Sequence, residues 1–388
     1  SLIKASLALY QKVLPATINV SKPNPAFNME SSSFYLNTET RPWFKKADGS
    51  PRRAGVSSFG FGGTNFHIAV EEYSGTSQEF TRIHPSSYMV LLSASSMENL
   101  KREIQKTLEA LNEEAAEQYL DQIDRQSCQG TISIKDARIG FLTNSVEDAI
   151  EKLRECQSLI ESNQGQQSWS TPKGIYFRES GMDTQGKTVA LFPGQGSQYV
   201  NMAKDLAIHF PLFREVFEKI DQQFNEDGRE FLTKNVFPIP VFSEEEKKAQ
   251  EKQITATENA QPAIGAFSMG LFQLLTKAGF KADYFAGHSF GELTALWAGG
   301  VLEDDAYLRL VIARGKAMGT PSSSQSENGT MIAVKGERER IEETLKDIPS
   351  VKIANYNSPG QVVAAGSGAD IETASEALEK AGFSVYPL

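Results

Sequence analysis

The residues Gly287-His288-Ser289-Phe290-Gly291 constrain this chain more than any other stretch. They stand between a short apolar run, Tyr284-Phe285-Ala286, and a helix-like one, so this G-x-S-x-G pattern reads as a sharp strand-to-helix turn. So tight a turn leaves no room for Cβ atoms beside its centre, which accounts for the flanking glycines. It lifts the Ser289 hydroxyl out of the sheet and sets it at a helix N-terminus, where N–H groups favour an oxyanion. The plain alternative is a chance match in a glycine-rich turn, and the strand–turn–helix context favours the nucleophile. A chain built around such a turn is an α/β protein.

The rest of the chain sorts by texture into three regions. Residues 1–73 open with an amphipathic helix from Leu2 to Leu14 and a Pro-rich extended stretch. They close on Pro51 to Glu72, which reads as strand, glycine turn, strand. Residues 74–186 begin with a polar linker and then alternate strand and helix. The strands are Tyr88–Leu92, Arg138–Leu142 and Gly174–Phe177, and the helices Glu98–Leu111 and Val146–Ile160. Residues 187–388 read as the enzyme-like part: a buried-type strand Thr188–Phe192, helices over Ala203–Phe213, Glu258–Lys277 and Asp304–Met318, and the serine turn. Within it, residues 330–388 run β-α-β-β-α-β, a ferredoxin-like order.

Composition narrows the classes. A chain of 388 residues suggests two or three folded units, and 40 % apolar residues can fill their cores. A net charge of −10 argues against nucleic-acid binding. No apolar run is long enough to span a bilayer, and Ser1-Leu2-Ile3-Lys4 shows no signal peptide, so a cytoplasmic protein is expected. Two cysteines, Cys128 and Cys156, exclude a disulfide scaffold and a Cys-rich zinc site, and no metal ligand set is expected.

Gly194-Gln195-Gly196-Ser197-Gln198 follows the strand Thr188–Phe192 and reads as a loop whose backbone at Gln195 approaches an acyl carbonyl on Ser289, or as a plain turn. Gly181 to Thr188 fits the P-loop pattern letter for letter. It is rejected, because the lysine runs into a strand rather than a helix and Asp183 would repel phosphate. Arg314 suits a substrate carboxylate, or is a solvated arginine like Arg309; the residues alone leave both open. The carboxylates Glu244-Glu245-Glu246 and Glu342-Glu343 read as solvated helix faces.

A serine nucleophile needs a base. His288 adjoins Ser289, and adjacent side chains in a sharp turn diverge, so it is a poor base; it is counted among the expected substrate-binding residues. His67 lies in a strand, His84 in the linker and His209 in a helix-like stretch, and no histidine follows Ser289.

Pro23-Asn24-Pro25, Tyr35-Leu36-Asn37-Thr38-Glu39, Arg41-Pro42-Trp43, Pro51-Arg52-Arg53-Ala54-Gly55 and Phe59-Gly60-Phe61-Gly62-Gly63-Thr64-Asn65-Phe66-His67 resemble the C-terminal end of a type I β-ketoacyl synthase, a thiolase-like fold. Residues 187–388 resemble a malonyl-CoA:acyl-carrier-protein acyltransferase, with an α/β-hydrolase-like core, and residues 74–186 the linker domain between the two. The whole is similar to the ketosynthase–acyltransferase region of iterative polyketide synthases and of the first multidomain subunit of polyunsaturated-fatty-acid synthases.

The resemblance implies that Ser289 becomes malonylated, that the N–H groups of Gln195 and Phe290 form the oxyanion hole, and that Arg314 binds the malonyl carboxylate. Gln261 and Asn355 match further active-site positions, and Phe61 a residue beside the synthase acyl pocket. The implied partners are malonyl-CoA, acyl carrier domains and the remainder of the ketosynthase. No cofactor is expected on this chain, the phosphopantetheine belonging to the carrier. The family's catalytic histidine follows a strand like Ser384–Leu388 by a few residues, in a Phe-His pair, so this chain is expected to be a piece of a longer polypeptide with that base beyond Leu388. The competing expectations are an inactive scaffold fragment and a serine hydrolase.

Overall fold

The computed structural model describes residues 1–388 apart from 28, 30–31, 47, 74, 76–86, 183–184 and 320–328. Its residues form two compact units, Ser1–Ala313 and Arg314–Leu388.

The first unit opens with α1 (Leu2–Gln11), which stops short of the expected Leu14. Lys12 turns left-handed at φ 56°, and β1 (Val13–Leu14) then pairs antiparallel with β2 (Arg41–Pro42). β3 (Arg53–Phe59) and β4 (Asn65–Glu71) form the expected hairpin, in register from Arg53↔Glu71 to Phe59↔Asn65. Phe59, Phe66 and Ile68 are exposed along it, and Phe61 is fully exposed in its turn. A run of exposed apolar side chains of this kind marks a contact face.

β5 (Tyr88–Ala94), α2 (Met97–Ala110), α3 (Ala116–Gln129), β6 (Ala137–Thr143), α4 (Val146–Ser162), β7 (Ser168–Ser170) and β8 (Tyr176–Arg178) follow. The four strands make one antiparallel sheet in the order β5-β6-β8-β7. Ser96 and Ser145 cap α2 and α4 through the N–H groups of Asn99 and Asp148. The stripe Leu100, Ile104 and Leu108 is buried with Ile139, Phe141 and Leu153. The helix α3 has no counterpart in the sequence reading. Its Asp124 and Ser127 side chains accept the N–H groups of Met89 (2.7 Å) and Leu91 (3.0 Å), which satisfies donors on the edge strand β5.

The rest of the unit comprises β9 (Val189–Phe192), α5 (Lys204–His209), α6 (Pro211–Glu226), α7 (Leu232–Val236), α8 (Glu244–Thr255), α9 (Thr257–Lys277), β10 (Tyr284–Gly287), α10 (Gly291–Ala298) and α11 (Asp304–Gly319). The stretch Ala203–Phe213 is two helices, not one. Phe210 is extended at φ −118° and ψ 107°, and Pro211 starts α6, since a residue before proline avoids the helical region. β9 and β10 pair parallel, Gly287 beside Phe192. Phe213, Phe217, Phe224 and Phe237 are buried in a core shared by α6, α7 and α9. α9 carries Pro262 inside it, which denies the Glu258 carbonyl its helical donor. Arg229 Nη2 takes that place at 3.1 Å.

Phe44 and Arg52 are fastened to these helices. Phe44 stacks on Phe237 at 5.3 Å and touches Phe217 at 6.3 Å. Arg52, buried, donates to Trp43 O (2.5 Å), to both Glu72 oxygens (2.9 and 2.8 Å) and to Glu218 Oε1 on α6 (2.6 Å).

The second unit, which begins within α11, holds β11 (Thr330–Lys335), α12 (Arg338–Leu345), β12 (Lys352–Ser358), β13 (Gln361–Gly366), α13 (Gly368–Lys380) and β14 (Ser384–Pro387). Its antiparallel sheet runs β12-β13-β11-β14, the ferredoxin-like order expected from the sequence. No helix among the described residues is long and apolar enough to cross a membrane.

Candidate active site

The serine turn is a product of close backbone approach. β10 ends at Gly287, where His288 N–H donates to Phe192 O at 3.1 Å. Ser289 sits at φ 53°, in the left-handed region that a β-carbon disfavours. The helix then starts at once: Gly291 N–H donates to His288 O (2.9 Å), and Glu292 N–H to Ser289 O (3.1 Å).

Both flanking glycines are obligatory for a measurable reason. A Cβ on Gly287 would lie 2.0 Å from the Gly291 carbonyl carbon, and one on Gly291 would lie 2.2 Å from Phe192 O. The adjacent loop fits against the same turn: a Cβ on Gly194 would lie 2.8 Å from His288 O and 3.1 Å from the His288 ring. Three glycines thus let the end of β9 and the turn after β10 interlock, with Ser289 held in one strained conformation. Phe290, the N-cap residue of α10, anchors the turn from below. Its ring is fully buried opposite Gly265 of α9, where a Cβ would come within 3.2 Å of it. Tyr307 packs at the same point and shares a 2.7 Å hydrogen bond with Thr294, while burial pushes its hydroxyl well above the usual phenol range.

Gln195 lies in the loop after β9. Gly196 beside it has φ 110°, which only glycine adopts without strain. The loop is tied by Ser197 Oγ to Gly194 O (3.1 Å) and by Gly196 N–H to Gln198 Oε1 (2.8 Å). The Gln195 side chain is fixed at both ends. Its Nε2 donates to Thr257 Oγ1 at 3.1 Å, and its Oε1 accepts from Gln261 Nε2 at 3.1 Å. Gln261 is 1 % exposed on α9. Thr257 is absent from the residues that sequence reasoning picked out; the signal was its place four residues before Gln261, on the same helix face.

The first unit therefore brings together Ser289, His288, Phe290, Gln195 and Gln261. Arg314 and Asn355 belong to the second unit, half-buried on α11 and on β12, where the strand register shifts. Arg309 is exposed, the solvated arginine that was expected. His67 pairs with Ser57 Oγ at 2.8 Å, His209 ends α5, and His84 lies outside the described residues.

The rejected P-loop stays rejected. Lys187 pairs with Asp283 at 3.0 Å, and Thr188 N–H donates to the same carboxylate at 2.9 Å, which pulls that carboxyl below its ordinary range; the chain then enters β9, not a helix. Asp183 lies outside the described residues. Glu246 and Glu342 are structural carboxylates, the one in the capping box of α8 with Ser243, the other bonded to Arg338 and Tyr356.

The model of the acyl transferase domain family matches residues 189–386, about half of the chain. The chain belongs to that family. In this acyltransferase the strained serine, the interlocked glycine turns and the Gln195 loop all fall inside the matched stretch. A second model, of the ketoacyl-synthetase C-terminal extension, matches residues 23–135. The whole chain aligns with a polyunsaturated fatty acid synthase polypeptide of Thraustochytrium sp., at 34 % identity over 407 residues that make up 14 % of that protein. It also aligns throughout with the phenolphthiocerol synthesis polyketide synthase type I Pks15/1 of Mycobacterium marinum, at 30 % identity over 17 % of that protein. The fold resembles the acyl transferase domain of ZmaA, with a TM-score of 0.60 at 22 % identity over 80 % of this chain and 66 % of that one. The chain corresponds to the stretch of type I synthases that leads from the end of the ketosynthase into the acyltransferase, and spans a small part of these relatives.

Proposed function

We propose that this acyltransferase moves a malonyl group from malonyl-CoA, through an ester on Ser289, to the phosphopantetheine thiol of an acyl carrier domain. The setting is a polyunsaturated-fatty-acid or polyketide synthase. The observation that carries this reading is the left-handed Ser289 at the start of α10, beside the Gln195 loop.

In the first half-reaction Ser289 Oγ bonds to the thioester carbon and gives its proton to a base. The carbonyl oxygen becomes an oxyanion on the N–H groups of Gln195 and Phe290, the carbon–sulfur bond breaks, and coenzyme A leaves with the proton. The carrier thiol then reverses these steps. The base in this reading is a histidine placed after β14, as the family resemblance implies. Arg314 grips the malonyl carboxylate with parallel hydrogen bonds. His288 and Gln261 serve the acyl site in the first unit, and Asn355 is a further active-site position that the family resemblance implies. The chain needs no cofactor of its own, and the exposed hairpin β3–β4 packs on the remainder of the ketosynthase.

Peptide mass mapping after exposure to malonyl-CoA tests this: an ester on the Ser289 peptide, absent in Ser289→Ala. Arg314→Ala should reduce malonyl loading more than acetyl loading, and equal loss of both would remove Arg314 from its role. A folded synthase polypeptide that includes the histidine after β14 and never carries the ester would overturn the transferase reading.

A further inference from the structure

We propose that Thr257 is a positioning residue for the oxyanion hole, acting through the side chain of Gln195. This rests on the transferase reading and names a residue that the sequence pattern did not single out.

The backbone around Gln195 cannot hold its own shape. Glycine flanks it on both sides, and Gly196 adopts a φ of 110°. The N–H of Gln195 can point at an acyl oxygen on Ser289 only if something outside the loop fixes the loop. The loop's internal bonds, from Ser197 and to Gln198, tie it to itself, and the packing of Gly194 on His288 sets where it starts but does not hold the peptide of Gln195.

The outside ties come from α9. Thr257 is the first residue of that helix, whose N-cap is Ala256, and no side chain caps this end. The Thr257 hydroxyl instead accepts the Gln195 amide nitrogen at 3.1 Å, while Gln261, one turn along the same face, donates to the amide oxygen at 3.1 Å. Gln195 thus donates to Thr257 and accepts from Gln261, so its amide is held at both ends. Gln261 is fully buried and α9 is packed along the core, so this pair is a rigid mount. An amide gripped at both ends transfers that rigidity to the peptide N–H beside it. Donors preset for developing charge are the costly ones to lose, and small displacements of them lower the rate steeply.

The test uses Thr257→Val, which keeps the shape and removes the hydroxyl, and Thr257→Ser, which restores it. Thr257→Val should slow malonylation of Ser289 by roughly tenfold or more, with KM for the acyl-CoA within about twofold. Thr257→Ser should recover most of the rate, and the melting temperatures of both should match the parent. Hydrogen exchange at residues 194–197 should quicken in Thr257→Val. Gln195→Met removes both ties of this side chain, to Thr257 and to Gln261, so it should lose at least as much as Thr257→Val, and the double variant should lose no more than Gln195→Met alone. Additive losses, or a Thr257→Val that acylates and exchanges like the parent, would overturn the proposal. The parent is the polypeptide that carries the histidine after β14; should it fail to acylate at all, the transferase reading falls, while the exchange comparison still decides whether Thr257 holds the loop.

Discussion

Asp221 offers a sharp stability test. It lies on α6, only 3 % exposed, with its carboxylate accepting the Thr233 N–H at 3.0 Å and the Thr233 hydroxyl. Burial pushes its pKa up from the ordinary 3.8 to about 7, the nearby Glu218 adds to this, and the Thr233 bonds only partly offset it. The sign follows from proton counting. Between pH 3.8 and about 7 the folded chain holds a proton that the unfolded chain has released, so stability falls as pH rises through that window. At about 1.4 kcal/mol per pH unit, the loss between pH 5 and pH 8 is about 3 kcal/mol. Asp221→Asn keeps the shape, stays neutral throughout and still accepts the Thr233 N–H. Its stability relative to the parent should therefore rise by about that amount between pH 5 and pH 8. Urea unfolding of both proteins across this range, followed by tryptophan fluorescence, makes the comparison, because Trp297 shares the core of α6. Other titrating groups cancel in the difference. Parallel curves, or a gap that closes as pH rises, would refute the reasoning.

The Arg52 guanidinium bridges Glu72 and Glu218 at 2.8 and 2.6 Å, and its removal leaves two partly buried carboxylates without that cation. Arg52→Met should therefore cost about 3–5 kcal/mol in urea unfolding, with Glu218→Gln recovering part of the loss. Gly291→Ala places a Cβ 2.2 Å from Phe192 O and should lower the melting point and Ser289 loading together. Gly368→Ala, with open space around it at the start of α13, should instead stabilise by about 0.5 kcal/mol, read by the same urea titration.

What the sequence made legible was local. The serine turn could be read because the atoms that force Gly287 belong to Gly291 and Glu292, a few residues on; the Phe192 carbonyl that forces Gly291 is distant in sequence and was not visible. The ferredoxin-like order could be read because its six elements are consecutive and alternate cleanly. The end of α1 and the break at Phe210 were missed because a left-handed lysine and a pre-proline residue interrupt runs whose apolar spacing continues through them. α3 was missed because its apolar signal is short: it buries Leu120 and Ile123, and the polar side chains by which it satisfies β5, Asp124 and Ser127, leave no mark on apolar periodicity.

The larger omission concerns the segment drawn as the end of a ketosynthase. A boundary at residue 73 follows texture, and texture says nothing of which surface a segment packs on. Phe44 reaches Phe217 and Phe237, Lys204 pairs with Glu39 at 3.1 Å, and Arg52 ties Glu72 to Glu218. These partners are far apart in sequence, so no window of the chain contains both. The same distance hid Thr257 from Gln195. Glu39, Phe44 and Arg52 are thus held by acyltransferase helices, while the hairpin that follows leaves Phe59, Phe61 and Phe66 exposed. Tying Arg52 to Glu218 of α6 anchors the start of the hairpin, whose first residue is Arg53. A change at Arg52 would therefore reach two things at once, the stability of the acyltransferase core and the aim of the apolar face beside it.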